Sequence, residues 1–203
     1  MKHDDNSIKP TENVATADNK NLMHIAQYIK TGQSGHKRSI PPLEQWHPKQ
    51  CGAMDLLVKA NGEWWHEGQL IKRQALVDLF SSVLWKEQDK FYLKTPVEQI
   101  EIQVEDEPLF INQVDRVEIG QQNYIQLTTT HQDIVIVDEE HPIFMREYAG
   151  ELRPYVHVRF GINALIQRAA FLHLVELGEL SENVQGETIL SLKSGDLHLH
   201  LSS

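Results

Sequence analysis

Between Thr95 and Leu192 the chain carries five arginines, Arg116, Arg146, Arg153, Arg159 and Arg168, and no lysine. A guanidinium presents a planar fork that grips a carboxylate or phosphate at two points, whereas a lysine ammonium is a mobile, strongly hydrated charge. The same stretch gathers acids within residues 98–106 and again within 133–140. Two arrangements satisfy that composition. Either the arginines pair with these acids inside the fold, or some of them form a recessed cluster that receives an anionic ligand.

Arg73 and Arg168 share a second peculiarity. Residues 71–80 and 166–175 both read Ile-x-Arg-x-Ala-apolar-apolar-x-Leu-apolar. The spacing predicts an amphipathic helix in each, with the arginine in its first or second turn. A cation there opposes the helix dipole by about 0.3–1 kcal/mol, so it must serve something other than helix stability. A carboxylate such as Glu98 or Glu151 is one partner, and an external anion is the other. The repeated pattern predicts a duplicated unit.

Other reactive residues have duller explanations. His198 and His200 share one face of the last strand, but zinc needs a third protein ligand, so no metal is expected. The run Asp138-Glu139-Glu140-His141 holds ligand types and reads as a solvated loop before Pro142. Cys51 is the only cysteine, which excludes an intramolecular disulfide and gives little reason for a catalytic thiol. Phosphate-binding and dinucleotide-binding glycine loops are missing, as are the serine elbow and His-Glu-x-x-His, and no cofactor is expected. Trp64 and Trp65 are neighbours on a strand and must point to opposite faces, one into the core and one over a ligand ring or an adjoining domain.

The elements that must position these groups follow from periodicity. The expected hairpin joins 54–59 to 63–66 through Asn61-Gly62, a turn requiring positive φ at both central residues. A helix is expected at 70–86, strands at 91–93 and 100–104, then several β segments to 160, a second helix at 162–177, and a closing hairpin around Ser194-Gly195-Asp196. The predicted fold is α+β, a duplicated unit of mostly antiparallel strands with one helix per unit. Its divisions are a polar tail at 1–40 with a short helix at 21–30, then repeats at 41–105 and 106–203. With 29 acids against 19 bases and a net charge of -10, the 203-residue chain should repel nucleic acid polymers. It begins with polar residues and has no run of ~20 apolar ones, which predicts a soluble cytoplasmic protein away from membranes.

An ordered set of fragments is similar to a bacterial domain-of-unknown-function family, DUF1285. Those fragments are Cys51-Gly52, Gly62-Glu63-Trp64, Gly68, Ile71 and Arg73, then residues 92–98, His141-Pro142, residues 154–159, Gly161, Ala164 and Arg168. The match departs at Leu109, where phenylalanine is usual, and in the last strand, where leucine and histidine replace aromatics. The resemblance implies a duplicated α+β core, a C-terminal half loosely like pleckstrin-homology folds, and a small-ligand site between the halves with a role in signalling.

The resulting expectation is a binding or sensor module holding a small anionic, nucleotide-like ligand between two repeats. Its cleft would be lined by Trp65, Arg73, Thr95, Glu98, His141, Arg153, Arg159 and Arg168. Arg153 and Arg159 would take the anion, Trp65 or His141 would face a ring, and Glu98 would hold Arg73. A protein-interaction surface at the same place is the first alternative. A hydrolase or transferase with Glu98 or His141 as general base is the second.

Overall fold

The computed structural model describes residues 40–202, so the expected polar tail and its short helix lie outside the described residues. A 3-10 turn at Leu43–Gln45 opens the fold. It leads into β1 (Gln50–Val58), β2 (Trp64–His66), β3 (Gln69–Leu70), α1 (Gln74–Ser82), β4 (Leu84–Glu87), β5 (Lys90–Lys94) and β6 (Glu98–Val104). The first three strands form one antiparallel run and the last three another, and β1 joins β6 in parallel at the centre.

The second unit repeats that winding. It contains β7 (Leu109–Ile119), β8 (Gln122–Thr129), β9 (Ile134–Ile136), β10 (Ile143–Tyr148), β11 (Glu151–Arg159) and β12 (Ile162–Ile166). Its sheet order is β10-β11-β12-β7-β8-β9, again two antiparallel runs joined by their first and last strands in parallel. After α2 (Arg168–Leu177), a smaller antiparallel sheet follows from β13 (Glu179–Glu182), β14 (Thr188–Ser194) and β15 (Leu197–Ser202).

Two repeated units are therefore present, but the fold is mostly β rather than an even α+β. Both helices are shorter than expected. Val83 ends α1, and the next four residues pair antiparallel with β5. Residues 162–166, expected to be helical, form β12 between β11 and β7, and alternate buried with half-buried as a strand should. Nor does the ten-residue pattern mark the repeat of the sheets. α1 sits between the third and fourth strands of its unit, whereas α2 follows the sixth. The shared pattern is that of two helices with a buried leucine, Leu79 and Leu174, near the same point.

Burial follows the alternation. Leu56, Val58 and Trp64 point inward from the first sheet, and the Trp64 ring meets Phe80 of α1 at 6.1 Å. The Asn61-Gly62 turn has a different form from the one expected: only Gly62 has positive φ, at 90°. The Asn61 carboxamide accepts the Glu63 N–H at 3.1 Å, closing a local turn that spares Asn61 the left-handed conformation. Gly62 also lies against Phe110 of the second unit, where a Cβ would stand 3.0 Å from the ring.

Candidate functional site

Arg159 ends β11 beside α1 of the other unit. One guanidinium nitrogen donates to Asp133 at 2.9 Å and another donates to the Ser81 carbonyl at 2.6 Å. The side chains of Arg159 and Asp133 are 11% and 8% exposed, so the fork is already filled by protein. His131, also nearly buried, meets Asp78 of α1 at 2.8 Å. Trp85 of β4 packs against Phe160 with ring centroids 5.1 Å apart. Arg159, expected to take an anion, instead joins the two units.

A second polar network holds the link between the units. Asp106, expected only as the end of an acidic stretch, and Glu107, just beyond that stretch, are 2% and 1% exposed at the side chain. Arg146 bonds to both, reaching Glu107 at 2.7 Å, and its guanidinium lies 4.1 Å over the Tyr155 ring. The Tyr155 hydroxyl donates to Asp106 at 2.7 Å, and the Asn163 amide donates to Glu107 at 2.9 Å. Burial pushes the Tyr155 phenol up to about 12, helped by its bond to Asp106. Burial opposes the Arg146 charge, yet its bonds to Glu107 and Tyr155 raise its pKa further above the ordinary arginine value. Arg153 pairs with Glu151 at 2.8 Å and lies 3.9 Å from Asp106. Arg116 donates to the Leu177 carbonyl at the end of α2, at 3.2 Å. Most of the arginines thus follow the first arrangement, pairing within the protein.

The remaining expected residues occupy separate places. Buried Thr95 closes the turn into β6: its hydroxyl accepts the Glu98 N–H and donates to the Glu98 carbonyl, each at 3.0 Å. Arg73 and Arg168 are exposed at the starts of α1 and α2, and among the described residues neither makes an ion pair, so Glu98 does not hold Arg73. His141 meets Asp138 at 2.9 Å and stacks on His157 with centroids 6.2 Å apart. Burial pushes the Asp138 carboxyl up, but its bonds from His141 outweigh this and hold it below the usual carboxylate range. Among the described residues, no three His, Cys, Asp or Glu side chains are grouped as metal ligands.

Trp65 has a different environment. It lies opposite Leu57 on the outward face of β1 and β2. With Asp55, Leu57, Lys59 and Gly68 it lines an open recess of about 340 Å³. The Lys59 ammonium sits 4.0 Å from the Trp65 ring centroid. The indole N–H donates to Glu63 at 3.0 Å, which fixes the ring plane. That bond, with a second from Asn61, holds the Glu63 carboxyl below its usual range. Lys59 and Asp55 were not among the expected site residues. Their signal was available, since strand alternation puts Asp55, Leu57 and Lys59 on one face, and the hairpin brings that face beside Trp65.

Two family models cover the chain in succession. The first, described as domain of unknown function (DUF1285), N-terminal domain, matches residues 41–107. The second, described as protein of unknown function (DUF1285), C-terminal domain, matches residues 108–201. Among curated proteins none matches the chain. The crystal structure of a DUF1285 family protein from Silicibacter pomeroyi DSS-3 is 34% identical, with a TM-score of 0.70 over 85% of this chain and 91% of that one. A DUF1285 family protein from Shewanella baltica OS155 is 24% identical, with a TM-score of 0.48 over 60% of this chain and 90% of that one.

Proposed function

The chain belongs to the DUF1285 family, and on that premise we propose that it is a non-enzymatic binding module for a small anionic ligand carrying a planar ring. The observation that carries this reading is Lys59 lying over Trp65 in the recess. A flat ring can replace the ammonium on the indole face, while the displaced lysine turns to an anionic group on the same ligand. The volume falls at the lower end of ligand sites, which suits a mononucleotide-sized molecule better than a large cofactor. Signalling fits such a module, because Trp65 stands near the Gly62 turn that touches Phe110 of the second unit. A loose pleckstrin-homology likeness of that unit fits too, with α2 following the last strand of its six-stranded sheet.

The catalytic alternative has less support. The His141–Asp138 pair could orient a general base, yet neither residue bonds a hydroxyl or thiol nucleophile among the described residues. A thermal-shift series with adenosine monophosphate, adenosine and inorganic phosphate tests the binding reading. The nucleotide at 100 times its dissociation constant should stabilise the chain by ~2.7 kcal/mol. Trp65→Leu should remove that shift, and Lys59→Met should weaken binding of the nucleotide more than of adenosine. A flat series across nucleotides and phosphorylated metabolites would sink the proposal.

A further inference from the structure

Across the small C-terminal sheet, Leu201 of β15, Leu190 of β14 and Leu180 of β13 lie in one cross-strand row. Their exposures are 7%, 4% and 59%, so the apolar row runs off the open edge of the sheet. β13 is that edge, and all four of its residues are exposed. An edge strand presents unpaired backbone donors and acceptors to any chain that lies alongside it. The strand is held firmly in place. Gly178, just before it, packs so closely on β14 that a Cβ would stand 2.7 Å from the Ser191 carbonyl oxygen. The following loop is ordered by Asn183, whose carboxamide accepts the N–H groups of Gln185 and Glu187 at 2.9 Å each.

The charges around this edge select the occupant. Glu179 and Glu182 flank Leu180 on the strand, and Glu187 follows in the loop. A second copy would bring the same glutamates against these, and anionic membranes or nucleic acids would meet the same repulsion. We infer that β13 receives an extended, basic segment of a partner protein, which adds a fourth strand with an apolar residue beside Leu180 and lysines or arginines beside Glu179 and Glu182. Main-chain bonds along the edge would supply affinity, and one apolar residue beside Leu180, with basic residues beside Glu179 and Glu182, would supply register. This surface is distinct from the recess at Trp65 and does not depend on it.

The test uses the full chain and a fluorescein-labelled nonapeptide with Lys-Val-Thr-Lys at its centre, with a control peptide carrying glutamate in place of both lysines. The lysine peptide should bind at least about tenfold tighter than the control, the effect of opposed charges at an interface. It should also slow amide exchange within residues 179–182. Glu179→Lys with Glu182→Lys should invert the preference between the peptides, while Leu180→Ser should weaken binding without inverting it. Equal binding of both peptides, or protection elsewhere in the chain, overturns the inference. So does self-association in sedimentation that Leu180→Ser abolishes. No binding at all would mean that the glutamates only keep the edge from aggregating.

Discussion

Residues 41–107 hold six lysines and one arginine, whereas 108–203 hold five arginines and one lysine, although the six-stranded sheets of both units wind the same way. In the first unit the lysines mostly stay at the rim: Lys90 bonds Glu101 across strands in the open, and Lys59 lies over Trp65. Lys94 is the exception, 5% exposed with its ammonium 3.6 Å over the Trp85 ring, and burial lowers its pKa. In the second unit Arg146 and Arg159 engage carboxylates that are almost fully buried. One winding therefore accommodates two kinds of polar construction. A point charge can rest on an aromatic face, while buried carboxylates call for a fork that satisfies several lone pairs at once.

That contrast can be tested residue by residue. Removing the Arg159 fork should do most harm, because it leaves Asp133 buried without its guanidinium and takes a donor from the Ser81 carbonyl. Arg159→Met should cost about 3–5 kcal/mol in urea denaturation, and Arg159→Lys should recover only part of it. Binding of a nucleotide at Trp65, corrected for stability, should be unchanged in Arg159→Lys. A separate loss of binding there would return Arg159 to the ligand site.

Glu107→Ala should cost somewhat less, about 2–3 kcal/mol, since the Arg146 side chain it abandons is 36% exposed and can turn to water. The same measurement on Glu101→Ala, whose Lys90 partner is exposed, should show at most about 1 kcal/mol. Gly62→Ala probes the contact between units rather than the charges. With φ at 90° and Phe110 beside it, this change should cost about 1–2 kcal/mol, read as a fall in melting temperature.

The last effect is a slope in the alkaline pH dependence of stability, with opposite signs in the two units. Tyr155 titrates near 12 in the folded chain against an ordinary 10.0, so its protonated form is favoured by folding. Its contribution is complete below about 10 and disappears as pH climbs through about 12. Lys94 titrates below its ordinary 10.5, so folding penalises the charged amine. That penalty fades as pH rises from the folded value toward 10.5, and stability rises with it. Denaturation followed from neutral to alkaline pH should lose the rise in Lys94→Met and the fall in Tyr155→Phe.

Local features were legible from the residues alone. Alternation set Trp64 and Trp65 on opposite faces, as they are, Asn61-Gly62 located the first hairpin, and Gly195, with φ at 58°, sits in the expected closing turn. Each of these depends on residues within a few positions of one another. Family membership was legible for a related reason, since an ordered series of local fragments survives without any knowledge of contacts.

The identity of each arginine's partner was not legible. Arg146 meets Glu107 from 39 positions away and Arg159 meets Ser81 from 78, so the order of strands in the sheets decides both. The same holds for residues 162–166, whose apolar content suits a helix or a strand equally well. They become β12 because β11 and β7 lie on either side with hydrogen-bonding edges to fill. Composition supplied the forks, the carboxylates and a lysine beside a tryptophan. Which of them closed on protein, and which stayed open as a recess, was decided by the tertiary structure, because a buried charge takes whichever partner the packed sheets bring within reach.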